Sequence, residues 1–224
     1  MHALIDYTVL NLGELQTNCY IVWCTKTRRA LVIDPADSGD MISEHLLELQ
    51  LNLEGIVLTH GHFDHCLGLL ELMMNFEVPV YLHPADRSLI ENARQSAEHW
   101  LRHTVDPVPV PQTELFSKEK ISFGECSLTV IETPGHTPGS ICLYNAPAAK
   151  ISGNDGSYPG QRVLFTGDTI FKEGMTRTDF RYSDIMQLHA SLAKLQKLPP
   201  DTLVLAGHGS PAYLHEAIKN LKQN

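Results

Sequence analysis

No apolar run in this sequence approaches the roughly 20 residues that a membrane span needs; runs such as Gly55-Ile56-Val57-Leu58 stop far short. Met1 to Asp6 has neither the basic start nor the apolar stretch of a secretory leader. Cysteine is sparse and odd in number, five residues (Cys19, Cys24, Cys66, Cys126, Cys142) without a CxxC pair, so neither a disulfide framework nor a thiolate zinc knuckle is expected. Positive charge is short as well. Lys plus Arg is 17 against 26 for Asp plus Glu, and the resulting net charge of -9 with neutral His repels a phosphate backbone. These absences exclude a membrane span and a nucleic-acid partner, and they point to a soluble protein of the reducing cytoplasm.

What the chain has is enough material for a core. With 224 residues and 43% apolar composition it can bury about 70% of its unfolded surface, as one domain over residues 1–224. β-prone runs occur at Ile5 to Leu10, Cys19 to Cys24, Ala30 to Ile33, Gly55 to Thr59, Val78 to Leu82, Ser127 to Glu132, Ile141 to Tyr144, Arg162 to Thr166 and Thr202 to Ala206. Helical periodicity falls between them, from a Ser38 cap through Leu51, from Asp64 through Phe76, and at Pro84 to Arg102, Ser183 to Lys197 and Pro211 to Lys222. This order predicts a layered α/β domain with mixed sheets. Val105 to Gln112, with Pro107, Pro109 and Pro111, reads as a stiff crossing loop, and Ala146 to Gln161 as a long polar hairpin loop.

Histidine stands out, with 12 copies. Four β-prone runs lead into a residue that can ligate a metal: Ile56 to Thr59 into His60, Thr129 to Ile131 toward His136, Val163 to Phe165 toward Asp168, and Leu203 to Leu205 toward His208. Sites in α/β folds assemble beyond the carboxyl ends of strands, so four strands can deliver these residues to one edge. The first cluster is dense, because His60-Gly61-His62-Phe63-Asp64-His65 sets three imidazoles and a carboxylate side by side in an H-x-H-x-D-H pattern. Imidazole with carboxylate and no thiolate suits zinc, and also iron or manganese. Seven ligands exceed one tetrahedral site; with one carboxylate shared they make two open sites, and two divalent cations there activate a water near neutral pH.

These residues resemble the metallo-β-lactamase superfamily, over nearly the whole chain. The resemblance implies a four-layer αβ/βα sandwich, two mixed β-sheets flanked by helices. It also implies His60, His62 and His136 at one metal, Asp64, His65 and His208 at the other, and Asp168 bridging both. Thr17-Asn18-Cys19-Tyr20, Ile33-Asp34-Pro35, Thr133 to Gly139 and Phe165 to Phe171 resemble the glyoxalase II-like, hydroxyacylglutathione hydrolase-like branch. Lys172 to Phe180 resembles a segment shared by single-domain glyoxalase II-like hydrolases and persulfide dioxygenases, although Thr176 stands where those relatives usually have Gly.

The expected activity is hydrolysis of a small anionic thioester such as a hydroxyacylglutathione, by attack of a metal-bridging hydroxide on the carbonyl. The thiolate leaves without strong acid help. Asp64 and Asp168 are the catalytic carboxylates of this reading, and the planar fork of Arg177 is assigned to a carboxylate on the thiol half. Two other classes remain open. One is an Fe(II) persulfide dioxygenase with a single metal on His60, His136 and Asp168; the other is a non-enzymatic metal-binding or partner-binding module. Asp34 before Pro35 supports either a metal imidazole or a turn, and Cys66 reads as a small packed helix residue. His2, His45, His83, His99, His103, His189 and His215 are read as structural.

Overall fold

The computed structural model describes residues 4–145 and 161–221, so nearly all of the loop expected at Ala146 to Gln161 lies outside the described residues. One sheet contains, in spatial order, β1 (Ile5–Leu12), β2 (Thr17–Cys24), β3 (Arg29–Ile33), β4 (Asn52–Val57), β5 (Val80–Leu82) and β6 (Thr113–Glu114). β1 to β3 pair antiparallel and β3 to β6 parallel. The second sheet is built from β7 (Lys120–Phe123), β8 (Cys126–Glu132), β9 (Ile141–Asn145), β10 (Val163–Gly167), β13 (Leu203–Ala206) and β14 (Ala212–Tyr213), in the order β14-β13-β10-β9-β8-β7. Only β10 and β13 run parallel in it. A small hairpin joins β11 (Ile170–Phe171) to β12 (Gly174–Met175).

Three hydrophobic clusters fill the spaces between four layers. Between the sheets, Tyr20, Val22, Leu31, Ile33 and Val57 meet Phe123, Leu128, Leu143, Phe165 and Leu205. On the outer face of the first sheet, Ile21, Val32 and Ile56 pack under α1 (Gly39–Glu48), α2 (Leu69–Asn75), α3 (Arg87–Glu91) and α4 (Ala93–Leu101). On the outer face of the second, Cys142, Leu164 and Val204 pack under α5 (Ile185–Leu195) and α6 (Leu214–Asn220). Successive residues of β2, β3 and β10 therefore go to different clusters, which is why these strands read as continuous apolar runs. Each large apolar side chain buried this way contributes about 1.5 to 3 kcal/mol. The chain adopts the expected α/β architecture of two mixed sheets flanked by helices. No helix among the described residues is long and apolar enough to cross a membrane.

Several element boundaries differ from expectation. Ser38 does not cap α1 with its side chain; it sits in the left-handed region at φ 50°, and its hydroxyl turns to Asp37. The helix ends at Glu48 because Gln50 is left-handed and the Leu51 N–H returns to the Leu46 carbonyl. The segment from Asp64 to Phe76 is not one helix. A 3-10 turn spans Phe63–His65, and the N–H groups of Leu67 and Gly68 donate to Ala36 and Pro35 before α2 begins. Pro84 to Arg102 divides into a 3-10 turn at Pro84–Asp86, then α3 and α4. Pro211 to Lys222 opens with strand β14, and α5 starts at Ile185 under an Asp184 cap that accepts from the N–H groups of Met186 and Gln187.

At one end the sheets are tied by backbone hydrogen bonds, Ile141 N–H to Thr59 O at 2.9 Å and Asn18 N–H to Gly207 O at 2.7 Å, while within the second sheet the Gly207 N–H reaches Gly167 O at 2.8 Å. That end carries the carboxyl termini of β4, β8, β10 and β13.

Candidate metal centre

All seven residues singled out by the sequence meet there. His60, His62 and the 3-10 turn with Asp64 and His65 follow β4; His136 follows β8, Asp168 follows β10, and His208 follows β13. Two groups form. In the first, the His62 Nδ1 lies 3.0 Å from the His60 Nε2 and 3.0 Å from the His136 Nε2. In the second, the Asp64 Oδ2 lies 3.5 Å from the His65 Nε2 and 3.2 Å from the His208 Nε2. Asp168 stands between them, with Oδ1 at 3.6 Å from the His65 Nε2 and Oδ2 at 3.6 and 3.7 Å from His208 and His136.

Hydrogen bonds on the far side of the rings fix which nitrogen faces the cluster. The Thr59 hydroxyl donates to Asp34, so it accepts from the His60 Nδ1 and leaves Nε2 facing inward with its lone pair. The His136 Nδ1–H is directed to the Arg177 carbonyl and to the Thr176 hydroxyl at 2.9 Å. The His65 Nδ1–H donates to the Asp34 Oδ2 at 2.9 Å, and Asp34 also accepts from the Thr59 N–H at 2.7 Å. One buried carboxylate thus orients an imidazole in each group, which decides the two readings of Asp34 in favour of support. Its backbone adopts φ 51°, a strained region for a side-chain-bearing residue.

The donor set fits a pair of cations. A single nitrogen of His62 has two ring nitrogens at 3.0 Å, and it can satisfy only one of them by hydrogen bonding. Lone pairs at that spacing match the edge of a tetrahedron with zinc to nitrogen bonds of ~2.0 to 2.1 Å, about 3.3 Å. The His65 Nε2 and the Asp168 Oδ1 are buried without a hydrogen-bond partner, a cost that a ligand between them removes. Gly207 makes room for both, since a Cβ there would lie 2.3 Å from the Asp168 Oδ1 and 2.6 Å from the His65 ring.

Electrostatics separates the groups. Burial, then the neighbouring imidazoles, pushes His60 well below the usual histidine range. Burial and then His136 bring His62 down to about 3, and burial also lowers His136. The first group is therefore neutral at pH 7. In the second, burial opposes charge on His65, but Asp64, Asp168 and Asp34 outweigh it and raise that imidazole well above its usual range. Burial likewise opposes the proton on His208, and Asp64 and Asp168 hold it there. Burial would raise both carboxyls, yet the imidazoles beside Asp64 and Asp168 keep them below the ordinary carboxylate range.

A family profile described as the metallo-beta-lactamase superfamily matches residues 12–148 and 156–208. The chain belongs to that superfamily. Hydroxyacylglutathione hydrolase GloC of Haemophilus influenzae is 29% identical over 208 residues, covering 92% of each chain. Among solved structures, the BLEG-1 B3 metallo-beta-lactamase superposes with a TM-score of 0.81 at 29% identity, covering 96% of this chain and 97% of the other. TTHA1623 in a di-iron-bound form does so at 0.80 and 31% identity, covering 95% and 98%.

On this superfamily scaffold, sequence reasoning missed Asp86. Fully buried, it accepts from the Gly61 N–H at 2.9 Å, the Thr137 hydroxyl at 2.6 Å and the Gly139 N–H at 2.6 Å, tying the His60 loop to the His136 loop. Its partners lie 25 to 53 residues away in sequence, so no local pattern marks it. Replacing Asp86 with Ala should strand the Gly61 and Gly139 N–H groups, leave the Thr137 hydroxyl only Ser140, and lower stability by about 3 kcal/mol, read as a fall in the denaturant midpoint at unchanged slope. A midpoint equal to that of the unaltered chain would refute this. Cys66 is buried as expected, and its thiol donates to the carbonyls of His62 and Phe63. The Arg177 guanidinium lies in the cleft wall, but its Nε and Nη2 both donate to Asp179 at 2.6 Å. Tyr182 was not singled out by the sequence either. Its hydroxyl is 2.7 Å from the His62 Nε2, and burial pushes its pKa up to about 12, so it remains a phenol.

Proposed function

We propose that the chain is a metal-dependent hydrolase of small thioesters, with His60, His62 and His136 holding one divalent cation, Asp64, His65 and His208 a second, and Asp168 shared. The carrying observation is the convergence of ring nitrogens and carboxylate oxygens on two adjacent points around Asp168, with the His65 Nε2 and the Asp168 Oδ1 buried there without a hydrogen-bond partner. Cations bound there supply Lewis acidity toward a carbonyl and a nucleophilic water near neutral pH. Zinc suits the donors, and iron or manganese fits the same set. Hydroxyacylglutathione is the substrate assigned first, supported by the name of the Haemophilus relative. The five free thiols suit a reducing cytoplasm.

The chain's own residues do the positioning. With the His62 Nδ1 turned to the cluster, its Nε2–H donates to the Tyr182 oxygen, leaving the Tyr182 proton to donate to a substrate oxygen in the cleft. Thr17 donates to the Asp64 Oδ2 at 3.0 Å and steadies that carboxylate. Asn18 and Tyr20 grip the carbonyl of Ala206, and Asn18 that of Gly209, so the His208 turn is held from β2. A single-iron dioxygenase on His60, His136 and Asp168 leaves Asp64 and His208 unused and the His65 Nε2 without a partner. The deciding experiment measures metals per chain with S-lactoylglutathione hydrolysis and with O₂ uptake on glutathione persulfide. Two metals with hydrolysis are expected. One iron with O₂ uptake would replace this reading by the dioxygenase, and metals with neither activity would leave a binding module.

Acidification should empty the second group first. His65 and His208 carry raised pKa values, so a cation must displace their protons, and its affinity falls as pH drops below those values. His60, His62 and His136 are already neutral and surrender nothing until far lower pH. Dialysis in steps from about pH 8 to about pH 5.5 should take the content from two cations per chain to one. Simultaneous loss of both would contradict the assignment.

A further inference from the structure

We propose, on the basis of the thioester-hydrolase reading, that the acyl half of the substrate carries an uncharged, aromatic-sized group rather than a methyl. The cleft that reaches His62, Asp64, His136 and Asp168 encloses about 680 Å³. Its apolar wall begins at the imidazoles themselves. The Phe180 ring centroid is 5.2 Å from that of His62 and 5.8 Å from that of His136, and Tyr182 stacks on Phe180 at 5.5 Å with an interplanar angle of 11°. Farther out, Leu15, Trp100 and Met175 line the same cleft at 48%, 64% and 42% exposure. Single exposed apolar side chains are ordinary on a protein surface. Three on one cleft, continuous with an aromatic pair at the reacting end, form a surface that sheds water when an apolar group covers it.

Charge argues the same way. Among the described residues, the one Arg or Lys of the lining is Arg177, whose guanidinium is clamped by Asp179 and lies 4.6 Å above the Phe180 ring. Away from Asp64 and Asp168 at the reacting end, charged groups are denser in a neighbouring groove of about 470 Å³, which shares Glu14 and Leu101 with the cleft and is lined by Asp37, Glu71, Arg94, His103 and Asp106. A thioester with an apolar acyl half and a polar thiol half matches this division. The reaction is unchanged by the group: water adds across the C–S bond, the acyl carbon gains OH, the sulfur gains H, and nothing is oxidised.

The test compares S-mandeloylglutathione with S-lactoylglutathione, which differ only in phenyl for methyl on the acyl α-carbon and share charge and leaving thiol. The metal-loaded protein should show a kcat/KM at least about tenfold higher for the phenyl substrate, the scale that apolar pocket contacts reach. Trp100→Ala and Met175→Ala should each narrow that ratio, about threefold or more. The thioethers S-(2-hydroxy-2-phenylethyl)glutathione and S-(2-hydroxypropyl)glutathione remove any difference in carbonyl reactivity. Their binding is read from Trp100 emission, with Trp100→Phe used to subtract Trp23. The phenyl thioether should bind tighter by a similar factor. Hydrolysis of both esters without a phenyl advantage in either readout overturns this inference and spares the hydrolase reading. Tighter binding of the phenyl thioether without hydrolysis of either ester does the reverse.

Discussion

Asp168→Ala should lower hydrolysis by roughly 10³-fold or more and reduce bound cations from two per chain to one or none, because this carboxylate is the contact between the two ligand groups. Its Oδ1 faces His65 and its Oδ2 faces both His208 and His136, at 3.6 to 3.7 Å. Removing it would delete a negative charge available to two dications bound on either side, and their mutual repulsion would be opposed by less protein charge. The fold should not follow the activity down. The Asp168 Oδ1 makes no hydrogen bond, and the β10–β11 turn is held by backbone bonds such as Thr169 N–H to Thr166 O at 3.0 Å. Unfolding of the metal-free variant should differ by less than about 1 kcal/mol from that of the metal-free parent. Asp168→Asn, which keeps the shape and discards the charge, should lose most of the rate as well. Elemental analysis with S-lactoylglutathione turnover checks both variants, and two retained cations with an undiminished rate would remove Asp168 from the centre.

The strands that position the site were legible because they are buried on both faces. β2, β3, β10 and β13 lie between a sheet-to-sheet cluster and a sheet-to-helix cluster, so residues 19–24, 30–33, 163–165 and 203–206 are unbroken apolar runs. Their ends were legible too, since a His or Asp placed just past an apolar run has few reasons to be there except chemistry. The edges were less visible. β6, β11, β12 and β14 have two residues each, too few for any period to register. β7 is longer, and its exposed-buried alternation over Lys120–Phe123 is a signal that the reading passed over.

Local rules failed where a distant residue decided the conformation. Ser38 and Gly68 look like a cap and a helix interior, yet the Ser38 hydroxyl turns to Asp37, the Gly68 N–H goes to the Pro35 carbonyl, and a Cβ at Gly68 would lie 2.8 Å from the Asp37 carbonyl oxygen. The supporting shell of the centre is nonlocal for the same reason. Thr176 reaches His136 across 40 positions and Tyr182 reaches His62 across 120. The Thr176 case is instructive: its hydroxyl lies on the His136 nitrogen that faces away from the cluster.

Asp34→Asn should separate support of the ligands from support of the fold. The Asp34 carboxylate accepts three hydrogen bonds, from the Thr59 N–H, the Thr59 hydroxyl and the His65 Nδ1–H. An amide of the same shape keeps one oxygen, which at the Oδ1 position still accepts from the Thr59 N–H, and its NH₂ then faces both the Thr59 hydroxyl and the His65 Nδ1, which share Oδ2. The imidazole must answer by accepting at Nδ1, which moves its proton to Nε2 and takes away the lone pair aimed at Asp64 and Asp168. The cation of the Asp64, His65 and His208 group should therefore weaken by about 10 to 100-fold, the scale found when a ligand's hydrogen-bonded support is removed. The His60 group should weaken as well, because the Thr59 hydroxyl, accepting from that NH₂, turns its own proton to the His60 Nδ1. Competition with a graded chelator reads the two affinities separately, and urea unfolding of the metal-free chain reads the fold, which should lose no more than about 2 kcal/mol. Unchanged affinity at both groups would show that His65 finds its orientation without Asp34, and the strained backbone at that residue would then need another account.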